Sequence, residues 1–239
     1  MTPNSQRAFT VQVAGTQRTY EIVVPQNLDN RTAHPLTFVF HGAGGSIANS
    51  RGMGLQDAQG ASDGIFVFPQ GILLAGYESY GNGWNQTCGA YDMDFFNVMR
   101  QAVENAYCIN TQRVFATGFS WGADMTDALA CCLGDVLRAV APASGDEVDW
   151  NSTCVSARPA FRLTYADNDA YTQAQFDASV AFFRAGNHCA AQSDPVAPSP
   201  CIAYRSCDHP VMECRYAGLG HNLPPNWAQE TWDFLSSFQ

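Results

Sequence analysis

Residues 113–132, RVFATGFSWGADMTDALACC, change character at a single serine. Up to Thr117 the stretch is β-branched and aromatic, which favours a strand, whereas the part after Ser120 is rich in Ala, Met and Leu, which favours a helix. The junction at 118–122 reads Gly-Phe-Ser-Trp-Gly. A strand that turns into a helix through G-x-S-x-G holds its serine in a strained turn and exposes the hydroxyl as a nucleophile. The two glycines are expected because larger side chains would collide with the neighbouring strand or helix.

A serine nucleophile requires a histidine base, and in a fold of this kind the chain order is serine, acid, histidine. His34 and His41 precede Ser120 and are therefore excluded as the base. His221 is the preferred candidate, because AGLGHNLPP places it on a glycine-rich loop between the last predicted strand and the closing helix. We interpret His188 as the partner of a helix C-terminus and His209 as a turn residue between cysteines.

The acid of the triad is expected just after the strand in LTYADND, which offers Asp167 and Asp169. A typical loop places the acid a few residues beyond the strand end, which favours Asp169 and leaves Asp167 as the alternative. Asp146 and Asp149 in SGDEVDW are a weaker option.

The glycine-rich loop in FVFHGAGGS is expected to provide backbone N–H donors for an oxyanion. Backbone N–H groups at Gly42 and Ala43 can approach a substrate closely, and the N–H of Trp121 follows the nucleophile. A phosphate cradle is a poor alternative because the chain has no Lys and no complete G-x-G-x-x-G. We interpret His41 as a structural residue that holds this loop by hydrogen bonds.

Strands alternate with helices along the chain, which predicts an α/β fold with a mostly parallel sheet and helices on both faces. The opening FTVQVAGTQRTYEIVVP predicts an N-terminal antiparallel hairpin. The proline-rich stretch 193–200 is interpreted as a stapled surface loop. We therefore predict one catalytic domain over residues 1–239, without a separate lid or binding module.

Composition narrows the function further. The 239 residues carry a formal net charge of −10, which argues against nucleic acid and anionic membrane surfaces as partners. All basic residues are Arg, so Schiff-base and pyridoxal chemistry are excluded, and we expect no cofactor. No apolar run is long enough to span a bilayer, and we expect a secreted monomer.

Nine cysteines are typical of an oxidising compartment, with about four disulfides and one thiol left over. We expect the pairs Cys189–Cys207 and Cys201–Cys214. Two further bridges and a free thiol are expected among five other cysteines. These are Cys88, Cys108, Cys131, Cys132 and Cys154. A zinc site at the late cysteines and His209 is disfavoured because paired C-x-x-C knuckles are missing, so no metal is predicted.

Five motifs follow one another along the chain: HGAGGS, FPQG…GWN, the long segment DMDFFNVMRQAVENAYCINTQRVFATGFSWGADM, VAPASG and YAGLGH. From about residue 18 to 225 the chain resembles the secreted esterases related to polyhydroxybutyrate depolymerase and feruloyl esterase, in carbohydrate esterase family one. The resemblance implies the α/β-hydrolase fold and puts the family's Ser, Asp and His on Ser120, Asp169 and His221. The chain departs from the family at the acid, which usually lies in an H-G-x-x-D pattern and lies in YADND here. The position after the histidine that is usually tryptophan in the family is Leu223 here, and Trp227 is a nearby candidate to replace it.

The loop LLAGYESYGNGWNQTCGAYD is rich in aromatic residues, which can stack on sugars or on a phenyl ring. Tyr80 and Trp84 are candidate substrate contacts on this loop, with packing beneath the loop an equal alternative for Trp84. Trp121 must lie near the reacting carbonyl, and Trp227 is a further candidate. We expect an ester-bearing polymer as substrate, with feruloyl esters of plant cell-wall polysaccharide first, then acetylated xylan and short-chain polyester. A catalytically inactive polymer-binding protein is the non-enzymatic alternative.

Overall fold

The computed structural model describes residues 6–25, 28, 31–145, 154–155 and 157–238. The strands are β1 Gln6–Val13, β2 Thr16–Val23, β3 His34–Phe40, β4 Ile65–Pro69, β5 Ile72–Leu73, β6 Asn82–Gly83, β7 Ile109–Phe119, β8 Ala139–Ala143, β9 Ala160–Ala166, β10 Ser193–Pro195, β11 Cys201–Tyr204 and β12 Val211–Tyr216. The α-helices are α1 Ile47–Gly52, α2 Tyr91–Ala106, α3 Trp121–Cys132, α4 Gln173–Gly186 and α5 Trp227–Ser236. Short 3₁₀ helices span Leu55–Asp57, Ala61–Asp63 and Glu78–Tyr80.

A ten-stranded sheet has the order β1-β2-β4-β3-β7-β8-β9-β12-β11-β10. The six inner strands, from β4 to β12, run parallel, and each of the two strands at either side pairs antiparallel with its inner neighbour. The predicted parallel sheet with an N-terminal hairpin is confirmed. The second edge hairpin, β10 and β11, was not predicted, because the prolines between its short strands resemble a loop. The prediction of a single domain stays a prediction.

Strands β3, β4, β8 and β9 are buried at every position, and alternate residues enter two different cores. In β4, Ile65 and Val67 pack into the core beneath α2, α3 and α4, whereas Phe66 and Phe68 pack into the core beneath α1 and α5. This follows from the two-residue period of a strand, and it explains why such strands read as continuous apolar runs. Helices therefore lie on both faces of the sheet.

The carboxyl ends of parallel strands meet at one edge of the sheet, where α/β proteins bind their ligands. Here β3 leads into His41, β7 into Ser120 and β9 into Asp167, while β12 leads into residues 217–221. The sheet order therefore brings the four loops singled out from the sequence to the same edge.

Four disulfides link Cys88 to Cys132, Cys131 to Cys154, Cys189 to Cys207 and Cys201 to Cys214, and Cys108 is a free cysteine. Both expected late pairs are present, which removes the thiols that a zinc site there would need. The close sulfur cluster of Cys88, Cys131 and Cys132 is likewise composed of disulfide-bonded cysteines. Within the described ranges, no helix combines the length and apolar character that crossing a bilayer requires.

Candidate active site

Ser120 lies at the end of β7 in a conformation that L residues rarely adopt, with φ 57° and ψ −127°. Its N–H donates to the carbonyl of Ala143 at the end of β8 (3.0 Å), and its own carbonyl accepts from the N–H groups of Ala123 and Asp124 in α3. Neighbouring elements thus hold a backbone strain that an isolated loop would relax. This is the turn that the glycine-flanked serine predicts.

The two flanking glycines are required by close backbone packing. A Cβ at Gly118 would lie 2.3 Å from the carbonyl oxygen of Gly122, and a Cβ at Gly122 would lie 2.3 Å from the carbonyl oxygen of Phe40. Both distances are far below any real Cβ contact, and in both cases the obstacle is backbone. The absence of these side chains lets β7, β3 and α3 pack against each other directly around Ser120.

Asp169 and His221 form a hydrogen-bonded pair beside this turn. His221 Nδ1 donates to Asp169 Oδ1 at 2.7 Å, and the N–H of Tyr171 donates to the same carboxylate oxygen at 3.2 Å. The Asp169 side chain is fully buried, whereas the His221 side chain is 29% exposed. Because Nδ1 carries the proton in this bond, Nε2 is left with a lone pair that can act as a base.

The competing acids occupy other positions. Asp167 Oδ1 accepts a hydrogen bond from the N–H of Gly218 at 2.8 Å, so this carboxylate faces the backbone of the histidine loop and not the imidazole. Asp146 and Asp149 lie outside the described residues. The geometry therefore favours Asp169 over Asp167.

The His221 ring lies next to the serine turn. Its centroid is 4.7 Å from that of Phe119, the residue before Ser120, and 5.5 Å from that of Tyr171. Among the described residues, the His221 imidazole forms a hydrogen bond with Asp169 and none with the Ser120 hydroxyl. Catalytic hydrogen bonds are often long in a ligand-free enzyme and shorten when substrate binds.

His41 organises the glycine-rich loop after β3. The Gly71 N–H donates to its Nε2 at 2.9 Å, so Nδ1 carries the proton and donates to the Gly42 carbonyl at 2.8 Å. Burial lowers the pKa of His41, which keeps the ring neutral. His41 thus fixes the loop by hydrogen bonds through both ring nitrogens.

The predicted oxyanion donors belong to two segments that adjoin Ser120. A Cβ at Gly42 would lie 3.1 Å from Ser120 Cβ, so the loop passes directly beside Ser120. Ala43 lines the adjoining cavity. Trp121 is the first residue of α3, and its N–H is one of the helix-terminal donors that have no partner within a helix.

A cavity of about 790 Å³ adjoins this turn. Its lining residues are Ala43, Leu74, Ala75, Tyr77, Tyr80, Trp84, Asn85, Gln86, Thr87, Tyr91, Trp121, Asp124 and Tyr171. The rings of Tyr77 and Tyr80 lie 5.9 and 6.3 Å from the Trp121 ring, and the two tyrosines are 55% and 63% exposed. The result is an aromatic wall with polar groups at Gln86 and Asp124.

Two of the predicted substrate contacts need correction. Trp84 reaches the cavity wall but is only 1% exposed, and its indole N–H donates to the His41 carbonyl at 2.8 Å, so packing beneath the loop dominates. Trp227 is 2% exposed and begins α5 in the core on the opposite face of the sheet. It does not line the cavity, so its proposed role was wrong. The sequence reasoning missed Tyr171, which the short spacing from Asp169 could have indicated.

The fold and this edge of the sheet define an α/β-hydrolase. No protein-family model matches the chain. It is 28% identical over 240 residues to feruloyl esterase C from Emericella nidulans, a match that covers 91% of this chain and 83% of that protein. It is 31% identical over 230 residues to the probable feruloyl esterase C of Aspergillus flavus, covering 87% and 77% of the two chains. An acetyl xylan esterase from Aspergillus awamori superposes with a TM-score of 0.74 at 16% identity, covering 96% of this chain and 99% of that one, which shows the shared fold.

The protein is accordingly a carboxylic ester hydrolase. It belongs to the feruloyl esterase C family. The resemblance noted in the sequence motifs is thereby confirmed.

Proposed function

We propose that the protein is a secreted serine esterase that cleaves hydroxycinnamoyl esters on plant cell-wall polysaccharide through an acyl-enzyme at Ser120. The observation that carries this proposal is the 2.7 Å bond from His221 to the buried carboxylate of Asp169, formed beside the strained turn at Ser120. A polysaccharide ester as substrate follows from the family. The four disulfides fit an oxidising compartment.

In the proposed reaction, Ser120 Oγ attacks the ester carbonyl carbon while His221 Nε2 takes the hydroxyl proton. Asp169 holds the imidazole in the required tautomer and stabilises its cation. The carbonyl oxygen becomes an oxyanion that accepts hydrogen bonds from the N–H of Trp121 and from the loop at Gly42 and Ala43.

The tetrahedral intermediate then collapses. The bond to the sugar oxygen breaks, and His221 returns its proton to the departing alkoxide, which leaves the acyl group on Ser120. A water molecule repeats the attack with His221 again as the base. Breakdown of the second intermediate releases the carboxylic acid and restores the Ser120 hydroxyl.

The shape of the cavity supports an aromatic acyl group over acetate. Its volume of about 790 Å³ far exceeds what an acetyl group fills, and it lies in the range of sites that enclose a drug-sized ligand. Trp121 and Tyr80 provide ring faces for a phenyl group to pack against. The rim of exposed aromatic residues is open to a polymer that carries the ester.

The experiment compares Ser120→Ala with the parent on methyl ferulate, acetylated xylan and polyhydroxybutyrate. The control is Ser236→Ala, which alters a serine at the end of α5. We expect the parent to prefer methyl ferulate, Ser236→Ala to match it, and Ser120→Ala to lose roughly 10⁶-fold in kcat with an unchanged fold. Parental activity in Ser120→Ala would overturn the mechanism. Preference for acetylated xylan or polyester would overturn the proposed acyl group while leaving the nucleophile in place.

A further inference from the structure

Three consecutive residues after β9 each bind the loop that carries the catalytic histidine. Asp167 Oδ1 accepts from the Gly218 N–H at 2.8 Å, and Asn168 Oδ1 accepts from the Gly220 N–H at 2.7 Å. The third, Asp169, accepts from the His221 ring at 2.7 Å. We call the first two side chains, Asp167 and Asn168, the loop clasp.

The clasp begins where the sheet stops. Strands β9 and β12 pair through Ala166 and Tyr216, and the N–H of Asp167 still donates to the Tyr216 carbonyl at 3.0 Å. Beyond this point the loop leaves the extended conformation, since Gly218 and Gly220 both have φ +67°. Their N–H groups have no partner in a neighbouring strand and donate instead to side-chain oxygens of the loop after β9.

Apolar packing holds this loop only in part: the His221 ring lies 4.7 Å from that of Phe119, and Leu223 is partly buried against the core. None of residues 215–223 is buried, although Cys214 and Pro224 on either side are. A glycine-rich segment without a buried anchor samples many conformations unless hydrogen bonds restrict it. The clasp provides two such bonds within three residues of His221.

We infer that Asp167 and Asn168 are positioning residues, which hold loop 217–221 so that His221 meets Asp169 in the reactive orientation. The inference rests on the proposed function, in which His221 transfers the proton. It explains why a second carboxylate stands two positions before the acid without taking its role. Asp167 and Asn168 are both exposed, so each bond contributes modestly to stability, and the effect falls on the placement of the imidazole.

The test uses Asn168→Ala and Asp167→Ala, which remove the acceptor oxygens, and Asp167→Asn, which keeps one. A matched control is Asn110→Ala, because Asn110 Oδ1 also accepts a backbone N–H, from Gln112 at 3.0 Å, but at the start of β7. Each clasp alanine variant is expected to lower kcat for methyl ferulate by about tenfold to a hundredfold, the cost of a misplacement near 1 Å. KM and the melting temperature should stay close to those of the parent, Asp167→Asn should restore most of kcat, and Asn110→Ala should match the parent.

A second readout does not depend on activity. The Nδ1 proton of His221, bound to Asp169, should give a downfield proton resonance that His221→Ala removes. Asn168→Ala and Asp167→Ala should broaden or abolish this resonance, whereas Asn110→Ala should leave it unchanged. A parental kcat and a parental resonance in the Asp167→Ala/Asn168→Ala double variant would overturn the inference, as would a loss of kcat that only follows a loss of folded protein. If instead Ser120→Ala kept its activity, the proposed function would fail, and the resonance would still report on the clasp.

Discussion

Replacing Gly122 by alanine tests the close backbone packing around Ser120. Gly122 is the second residue of α3, where alanine would by helix propensity alone stabilise the protein by up to about 1 kcal/mol. Its Cβ, however, would lie 2.3 Å from the Phe40 carbonyl oxygen and 2.7 Å from that of His41. Both obstacles are backbone at the end of β3, so relief requires a strand or helix to move.

Overpacking of this kind costs about 1–3 kcal/mol, and a clash with backbone belongs at the upper end. With about 3 kcal/mol lost and about 1 kcal/mol regained, Gly122→Ala should be destabilised by about 2 kcal/mol. For a chain of this size that lowers the melting temperature by about 4–8 °C. Displacement of the Trp121 N–H and of Ser120 should also lower kcat by about tenfold or more.

Gly52 provides the matched control. It is the last residue of α1, and a Cβ there would meet nothing within 4 Å. Gly52→Ala should therefore be neutral or more stable by up to about 1 kcal/mol, with unchanged kcat. Thermal and denaturant unfolding, followed by circular dichroism with the disulfides intact, would measure both variants. If Gly122→Ala proved as stable and as active as Gly52→Ala, the close contact between α3 and β3 would be refuted.

Three further predictions concern the site. Asp169→Asn should keep the fold but lower kcat by about 10⁴-fold, because an amide favours the wrong imidazole tautomer; kinetics on methyl ferulate would check this, and a loss below tenfold would contradict it. Burial lowers the pKa of His41 below its ordinary 6.5. As the pH falls through 6.5, this histidine therefore becomes protonated in the unfolded chain but stays neutral in the folded chain. The free energy of unfolding decreases as a result. His41→Gln should be less stable at pH 7.5 but lose less stability between pH 7 and pH 5 in denaturant titrations; an equally steep loss would count against a buried neutral His41. Tyr80→Ala should raise KM for methyl ferulate about tenfold and leave p-nitrophenyl acetate hydrolysis unchanged; equal effects on both esters would exclude Tyr80 from the acyl pocket.

The strained turn at Ser120 was predictable because its requirements are local. The backbone at Ser120 needs glycine on both sides, and a strand pattern before it and a helix pattern after it can be recognised within twenty residues. Nearly continuous apolar runs, such as LTFVF and GIFVF, likewise indicated strands that are buried on both faces. His221 could be chosen because chain order and a glycine-rich loop are both visible in the sequence.

Other features depend on directions that a sequence does not encode. Asp167 and Asp169 stand two positions apart, and only the path of the loop decides which carboxylate faces the imidazole. Cys131 and Cys132 are adjacent on α3, where successive side chains point about 100° apart, so they bind different partners that the spacing could not specify. Trp227 was predicted to contact substrate because it follows His221 closely in the sequence, but α5 places it in the core on the opposite face of the sheet.

The most direct test of the account is to identify the residue that becomes covalently modified during inhibition. The protein would be treated with an alkyl p-nitrophenyl phosphonate, digested, and mapped by mass spectrometry. One adduct is expected, on Ser120, which is absent in Ser120→Ala and forms far more slowly in His221→Ala. An adduct on a different residue, or undiminished labelling of Ser120→Ala, would contradict it.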